Sequence, residues 1–360
     1  MTLFKYHVNF MIRNLFIVPS LLFCLFTKGQ TLDGALINDT RAGYICDTAI
    51  GYLQTEINDT PVSTITDSPK VSRQRISFFK NETTFNKARF YAVGGTSLLA
   101  LAGAYIYMRN AWWADQKVSF HFDGGQGLKN IFTLGRDAKY AKELDKFGHF
   151  YGGRIGGDLF SQAVRWSGKS EKESYLWGGI FGSAIELFIE VKDGFSPNWG
   201  FSVYDFMAGS LGSFYPYFQS KSKFLNALDY KYSYWRRDDY YFKSIKRSSS
   251  FQDDYMNETF WFTFNPKRFK PQSKWPKWLG ISIGVGVDNK LNDYYTGIIT
   301  DYSVLGKGGY EFFIAPDIDF TGLLPRKPFW QRVAKMLNYI KFPSPTLRLS
   351  NNSKFFLVYF

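Results

Sequence analysis

The stretch that decides the fold consists of three consecutive segments, LDKFGHFYGGRIGGDLFSQAVRW (Leu144–Trp166), SYLWGGIFGSAIELFIEVKDG (Ser174–Gly194) and SVYDFMAGSLGSF (Ser202–Phe214). Each segment combines acidic residues with small residues. At about 100° per residue, each of these groups shares one helix face: Asp145, His149, Gly152 and Gly156; Gly179, Gly182, Glu186, Glu190 and Asp193; and Asp205, Gly209 and Gly212. Because glycine faces let helix backbones approach closely, we predict three packed helices around one buried polar cluster.

The composition is that of a folded chain with a sizeable core. Hydrophobic residues make up 45% and aromatic residues 20% of the 360 residues. An aromatic excess suits envelope proteins, in which Tyr and Trp lie where water meets an apolar phase, and it is also compatible with a soluble β domain.

The formal net charge of +13 is scattered along the chain. Basic residues lie in polar connections such as 221–231 and 267–277 and form neither a run nor a helical stripe. This distribution argues against nucleic acid as a partner and favours solvated loops, with an anionic lipid surface as the alternative.

Residues 1–30 have the pattern of a secretory signal peptide. Arg13 precedes the apolar run Leu15–Phe26, which is too short to cross a membrane comfortably, and small or polar residues follow. Cys24 lacks the preceding small residues of a lipidation site. Only Cys46 remains after cleavage, which excludes an intramolecular disulfide and a multi-cysteine zinc site. We therefore predict an exported protein on the periplasmic side of the cell envelope.

The sequence divides into four regions. The signal peptide is followed by a polar lead-in at 31–85, a helical domain at 86–220 and an aromatic-rich β region with one short amphipathic helix at 221–360. The predicted fold class is α+β: a Gly-rich bundle of three to four close-packed helices, followed by a small antiparallel β region.

Phe90–Met108 is an uncharged run bracketed by Arg89 and Arg109. Its length meets the lower limit for a transmembrane helix. The small residues Gly94–Ser97 dilute its hydrophobicity, so a buried or interfacial helix is the alternative.

Helix ends are marked at several positions. Ser170 with Glu173 is a capping-box pattern for the second helix of the organising stretch, and Ser202 with Asp205 is a similar start for the third. We expect the third helix to stop before Pro216, because proline lacks the N–H that a helix needs.

We predict six strands in the C-terminal region: Tyr230–Trp235, Thr259–Phe264, Leu279–Val287, Tyr310–Ile318, Thr346–Ser350 and Phe355–Phe360. Leu279–Val287 alternates apolar residues with Ser and Gly, which indicates a strand with one buried face. An apolar stripe between Phe329 and Ile340 predicts the short helix. Because outer-membrane barrels need about eight strands, we predict a small sheet packed beside the helices. A membrane-inserted arrangement is the alternative.

The polar cluster has several interpretations. Carboxylate and imidazole side chains from several helices are how metal sites in bundles are built, and a carboxylate–His pair also serves as base and orienter in hydrolysis. The simplest interpretation is a hydrogen-bond network that fixes helix register. Burial would raise the pKa of the acids unless a cation compensates. Of Lys146, Arg154 and Lys192, only Lys192 is expected to reach the cluster, since Arg154 lies on the opposite helix face.

A family resemblance rests on three short motifs: Asp145-Lys146-x-x-His149-Phe150, Glu190-x-x-Asp193, and Ser202-x-x-Asp205 with the small residues after it. Over about residues 145–212 these motifs resemble the YfiM-like family of predicted periplasmic lipoproteins, a domain of unknown function. The stretch is more distantly similar to VanZ-like membrane proteins. The resemblance implies an exported, envelope-associated protein and supplies no reaction. It does not cover the aromatic β region.

Two hypotheses follow. The first is a non-enzymatic, membrane-associated structural or interaction protein without a cofactor, whose partners are membrane or envelope proteins. The second is an envelope hydrolase or metal-dependent enzyme acting on lipid or cell-wall material, with His149 as base. Its candidate catalytic residues are His149, Asp145 and Asp193, and its candidate ligands for a divalent metal are Asp145, His149, Glu190, Asp193 and Asp205.

Overall fold

A computed structural model describes residues 81–113, 117–124, 127–132, 141–197, 199–236, 254–288, 309–350 and 353–360. These residues belong to one compact unit, Phe78–Phe360. The predicted signal peptide, both cysteines and most of the predicted polar lead-in lie outside the described residues.

Four long helices come first: α1 Lys87–Ala111, α2 Leu144–Trp166, α3 Glu171–Asp193 and α4 Val203–Lys221. The predicted capping box opens α3, where Ser170 Oγ accepts a hydrogen bond from Glu173 N at 3.2 Å and the Glu173 carboxylate accepts one from Ser170 N at 3.1 Å. At the start of α4, Ser202 Oγ accepts a hydrogen bond from Asp205 N at 3.1 Å.

The prediction that the third helix stops before Pro216 is wrong. α4 continues through a buried Pro216 to Lys221. Proline removes one helical hydrogen bond, but α4 is packed so tightly that a Cβ on Gly212 would collide with the backbone oxygen of Phe150 on α2. Tertiary packing therefore maintains the helix beyond the proline.

Small residues set the contacts among α2, α3 and α4. A Cβ added at any of the predicted positions Gly179, Gly182, Gly209 and Gly212 would collide with a neighbouring helix. Gly152 makes only an ordinary contact, 3.6 Å from Glu186 Oε1, and a Cβ on Gly156 would meet no described atom within 4 Å. The close approach predicted at Gly156 is therefore not observed. The helix contact lies one residue further along α2, at Gly153 and Gly157, where a Cβ would strike the backbone of α4.

The α+β prediction is confirmed by one antiparallel sheet in which the strands neighbour each other in chain order. Its strands are β1 Leu228–Tyr234, β2 Glu258–Phe264, β3 Leu279–Val287, β4 Tyr310–Ile318, β5 Ser344–Arg348 and β6 Lys354–Tyr359. Short helices connect them: α5 Lys223–Asn226, α6 Pro266–Phe269, α7 Phe320–Leu323 and α8 Pro328–Leu337.

One face of α2 packs on the first two strands. The ring of Phe147 lies 5.8 Å from that of Phe260, and Phe150 packs edge-on against Tyr230 at 4.8 Å. Arg154 also points to the sheet and donates a hydrogen bond to the backbone oxygen of Tyr230 at 2.6 Å. The opposite face of α2, which carries Asp145 and His149, is thereby turned towards α3 and α4.

The rest of the sheet has an unusual distribution of polarity. On β3, Ile281 and Ile283 are 39% and 59% exposed, whereas the intervening Ser282 and Gly284 are buried. The predicted alternation is present, but the buried face is the one that carries the small and polar residues. β4 shows the same inversion, with Phe312 exposed and Asp317 buried.

Helix α1 contains the uncharged run Phe90–Met108. Val93 is the one buried residue of this fully described helix, so the alternative of a core helix is wrong. Within the described part of the chain, α1 is the one helix long and apolar enough to cross a membrane. Its C-terminal end is fixed to the bundle, because Trp113 Nε1 donates a hydrogen bond to Asp193 Oδ1 at 2.6 Å.

Candidate functional site

The candidate site lies between α2, α3 and the start of α4, and His149 is at its centre. His149 Nδ1 lies at hydrogen-bonding distance, 2.9 Å, from Glu186 Oε2. Its other ring nitrogen, Nε2, faces Glu190 Oε1 at 3.7 Å. Glu186 and Glu190 are four residues apart on α3, so both carboxylates meet the imidazole from one helix face.

Glu190 is 1% exposed. Its Oε2 accepts a hydrogen bond from Ser202 N at 2.9 Å, which places a carboxylate against the N-terminus of α4, where backbone N–H groups favour negative charge. Its Oε1 has no hydrogen-bond partner among the described residues. A buried carboxylate oxygen in that state is costly unless a positive group compensates.

The lysine that lies in the cluster is Lys146, and it pairs with two aspartates. Lys146 Nζ lies 3.0 Å from Asp205 Oδ1 and 3.1 Å from Asp145 Oδ2. The prediction for Lys192 is wrong: its ammonium lies over the rings of Tyr105 and Trp113, at 5.6 and 5.5 Å. Lys192 turns to the aromatic side chains that α1 brings beside α3, so it points away from the cluster.

Asp193 has a partner of its own, although its charge still helps to raise the pKa of Glu190. Its carboxylate accepts the hydrogen bond from Trp113, which explains how an acid is stabilised at the C-terminal end of α3. The structure therefore brings together five of the six predicted cluster residues, namely Asp145, His149, Glu186, Glu190 and Asp205.

The pKa values of two cluster residues are raised. Burial opposes the charged imidazole, but Asp205, Glu186 and Glu190 outweigh it and hold the pKa of His149 well above its usual value. Burial raises the pKa of Glu190, against the effects of His149 and of the hydrogen bond from Ser202. The crowding of acids around one imidazole thus favours the protonated forms of both His149 and Glu190.

Three side chains converge closely enough to hold a metal ion. One donor atom each of His149, Glu190 and Asp205 lies within 4.8 Å of the other two. Asp145 and Asp193, which the sequence also proposed as ligands, are not part of this convergent group.

Three contributors to the site were not predicted from the sequence. Two of them are the ammonium of Lys146, which neighbours Asp145, and the main-chain N–H of Ser202. Trp113 follows α1, whose position beside α3 has no signature in the sequence. For Ser202, the N-cap pattern was a usable signal, because residues at a helix start expose N–H groups to anions.

Fold and site together define an α+β protein whose helical bundle is built on small residues around a buried acid–His cluster. Residues 135–221 match the model of a family described as "Predicted periplasmic lipoprotein (DUF2279)". The predicted resemblance to periplasmic lipoproteins of unknown function is thus confirmed, and the match agrees with an exported protein. The more distant likeness to VanZ-like proteins is not borne out. No curated protein and no solved structure matches the chain.

Proposed function

We propose that this protein is a membrane-associated structural or interaction protein of the cell envelope, and that the outward face of its sheet contacts lipid acyl chains. The observation that carries the proposal is the inverted polarity of the sheet. Membrane-associated proteins or other envelope proteins are the partners that such a placement brings within reach.

The outward face carries a continuous apolar row. Cross-strand pairing aligns one residue from each of five strands, and all five are between 37% and 63% exposed: Phe262, Ile283, Ile314, Leu347 and Phe355. At about 4.8 Å between strands, the row is about 19 Å wide. An apolar surface of this extent is costly in water and marks an interaction site.

The inward face holds charges. Lys231 Nζ pairs with Asp317 Oδ2 at 2.6 Å, and both side chains are almost fully buried. Thr263 Oγ1 donates a hydrogen bond to Asp317 Oδ2 at 2.9 Å. Lys231 is paired across the strands with Trp261, which belongs to a buried aromatic cluster with Phe313.

The polarity of the two faces favours lipid as the partner of the outward face. A sheet in water buries its apolar residues and exposes its polar ones, whereas strands that contact acyl chains, as in membrane barrels, present apolar residues outward and keep polar residues inside. β3 and β4 have nine residues each, which reaches the lower end of the length of membrane strands. α1 supports the same placement, since its exposed residues include Leu98, Leu99 and Ile106.

A vesicle flotation assay tests the proposal. Full-length mature protein is floated with neutral phosphatidylcholine vesicles and compared with Ile283→Lys and Gln272→Lys, which add the same charge at an apolar sheet position and at an exposed polar position. A lysine in the apolar layer costs about 2–4 kcal/mol, so Ile283→Lys should bind at least about tenfold more weakly. Gln272→Lys should bind like the wild type. Equal binding by both variants, or no flotation of the wild type, would contradict the proposal.

The enzymatic alternative is favoured by one observation. Glu186 and His149 have the arrangement of an orienting carboxylate and a base, in which the carboxylate fixes the imidazole. Incubation with radiolabelled phospholipid and with purified peptidoglycan tests this alternative. Product formation that is lost in His149→Ala and retained in Asp193→Asn would favour it, and the absence of product from the wild type would reject it.

A further inference from the structure

Glu190 Oε1 is a buried oxygen without a described hydrogen-bond partner, and it faces His149 Nε2 at 3.7 Å. We infer that His149, Glu190 and Asp205 bind one divalent transition-metal ion between α2, α3 and α4. This inference goes beyond membrane association, since it concerns the bundle, and it stands or falls independently of the sheet.

The imidazole is oriented for a metal. Glu186 Oε2 lies 2.9 Å from His149 Nδ1 and accepts its hydrogen, so the lone pair of neutral imidazole is at Nε2, on the side of Glu190. Metal-binding histidines usually donate their other N–H to a carboxylate, which fixes the ring and makes the ligand more basic. Glu186 therefore has the place of a supporting residue.

The spacing of the donors suits coordination. Zinc binds imidazole nitrogen and carboxylate oxygen at about 2.0–2.2 Å, so two ligands of one ion are about 3–4 Å apart. The observed 3.7 Å between His149 Nε2 and Glu190 Oε1 lies in this range. The donor of Asp205 completes a group within 4.8 Å, which small side-chain rotations would close onto one ion.

The burial of Glu190 also favours a cation at this position. Glu190 Oε1 is buried with no hydrogen-bond partner among the described residues, and a positive ion beside it would offset the cost of burying its charge. Mixed imidazole and carboxylate ligands favour zinc, manganese or iron over calcium and magnesium. His149 is 22% exposed at its side chain, which gives the ion a route from solvent.

The test is metal binding by the full-length mature protein after chelator treatment and dialysis. Zn²⁺ and Mn²⁺ are titrated separately by isothermal calorimetry into the wild type, Glu190→Gln and Asp193→Asn. We expect one ion per chain in the wild type and in Asp193→Asn, because Asp193 is held by Trp113 outside the ligand group. Glu190→Gln should lower the affinity at least tenfold, since it keeps the shape of the side chain and removes its charge.

A second measurement does not depend on the folding of a variant. X-ray absorption of the zinc-loaded wild type should show one imidazole nitrogen and oxygen ligands, with no sulfur. Stoichiometric zinc with this signature supports the site. The proposal is overturned if neither ion binds stoichiometrically, or if Glu190→Gln and the wild type bind with equal affinity. A zinc spectrum without an imidazole ligand overturns it as well.

Discussion

His149 Nδ1 lies 2.9 Å from Glu186 Oε2, and this bond joins α2 to α3 inside the bundle. Glu186 is held in turn by the close approach of α4, where a Cβ on Gly209 would collide with the Glu186 side chain. The acid–His pair thereby lies at the point where three helices pack together, and it is part of their polar interior.

Glu186→Gln should destabilise the fold. The change preserves shape but removes the negative charge from the hydrogen bond to His149, for which we expect a loss of about 1–3 kcal/mol in the free energy of unfolding. Urea denaturation at pH 7 measures the loss. The control is Glu171→Gln, at an exposed position in the first turn of the same helix, which should change stability by less than about 0.5 kcal/mol. Equal effects of the two substitutions would contradict a stabilising role of the pair.

Two glycines of α2 should respond in opposite ways to the same substitution. Gly153→Ala places a Cβ against the backbone oxygen of Gly209, where nothing flexible can move aside, and overpacking of this kind costs about 1–3 kcal/mol. Gly156→Ala enters open space and should gain up to about 1 kcal/mol of helix propensity. The measurement is the Tm of both variants by thermal unfolding, compared with that of the wild type. Similar shifts in Tm would show that α2 and α4 are not in close contact.

The local elements were predictable from the sequence because their signals are local. Ser170 with Glu173 marks the start of α3, and strict alternation defines β3 from Leu279 to Val287. The extent of α4 beyond Pro216 was not predictable, because it depends on contacts with another helix rather than on the proline itself.

The sequence predicts which helix faces carry the residues of the candidate site, but it does not predict all the contacts that these residues make with other helices. Helical spacing brings His149 opposite Glu186 and Glu190, as expected. Lys146 reaches Asp205 only because α4 starts beside α2, a distance that no local pattern encodes. Alternation in β3 likewise separates two faces but does not determine which face the rest of the chain covers.

Lys341 gives a test of the inward face of the sheet through pH. Burial lowers the pKa of Lys341 to about 8 from its usual value near 10.5, although Asp317 opposes the shift. The unfolded chain therefore binds more protons between these two pH values, so the contribution of Lys341 to stability is present above pH 10.5 and is lost as the pH falls towards 8. The full change is on the order of 3 kcal/mol.

The measurement is the difference in unfolding free energy between the wild type and Lys341→Met at several values from pH 7 to pH 10. This difference should move in favour of the wild type as the pH rises above 8. Lys335→Met, at an exposed position of α8, should show no such trend relative to the wild type. A difference that stays constant across this range would mean that Lys341 is solvated and that the inward face is open to water.

Ile314 offers a direct view of the outward face. Its side chain is 40% exposed in the middle of the apolar row and lines an apolar groove of about 370 Å³ with Ile281, Leu347 and Phe355. In a Cys46→Ser background, Ile314→Cys carries an environment-sensitive fluorophore, and Gln272→Cys carries the same label at an exposed polar position. If lipid covers the row, neutral vesicles should shift the emission of the label at 314 to the blue and leave that at 272 unchanged, because acyl chains exclude water. A label at 314 that remains in water in the presence of vesicles, while the protein floats with them, would assign membrane binding to α1 and leave the sheet face for a protein partner.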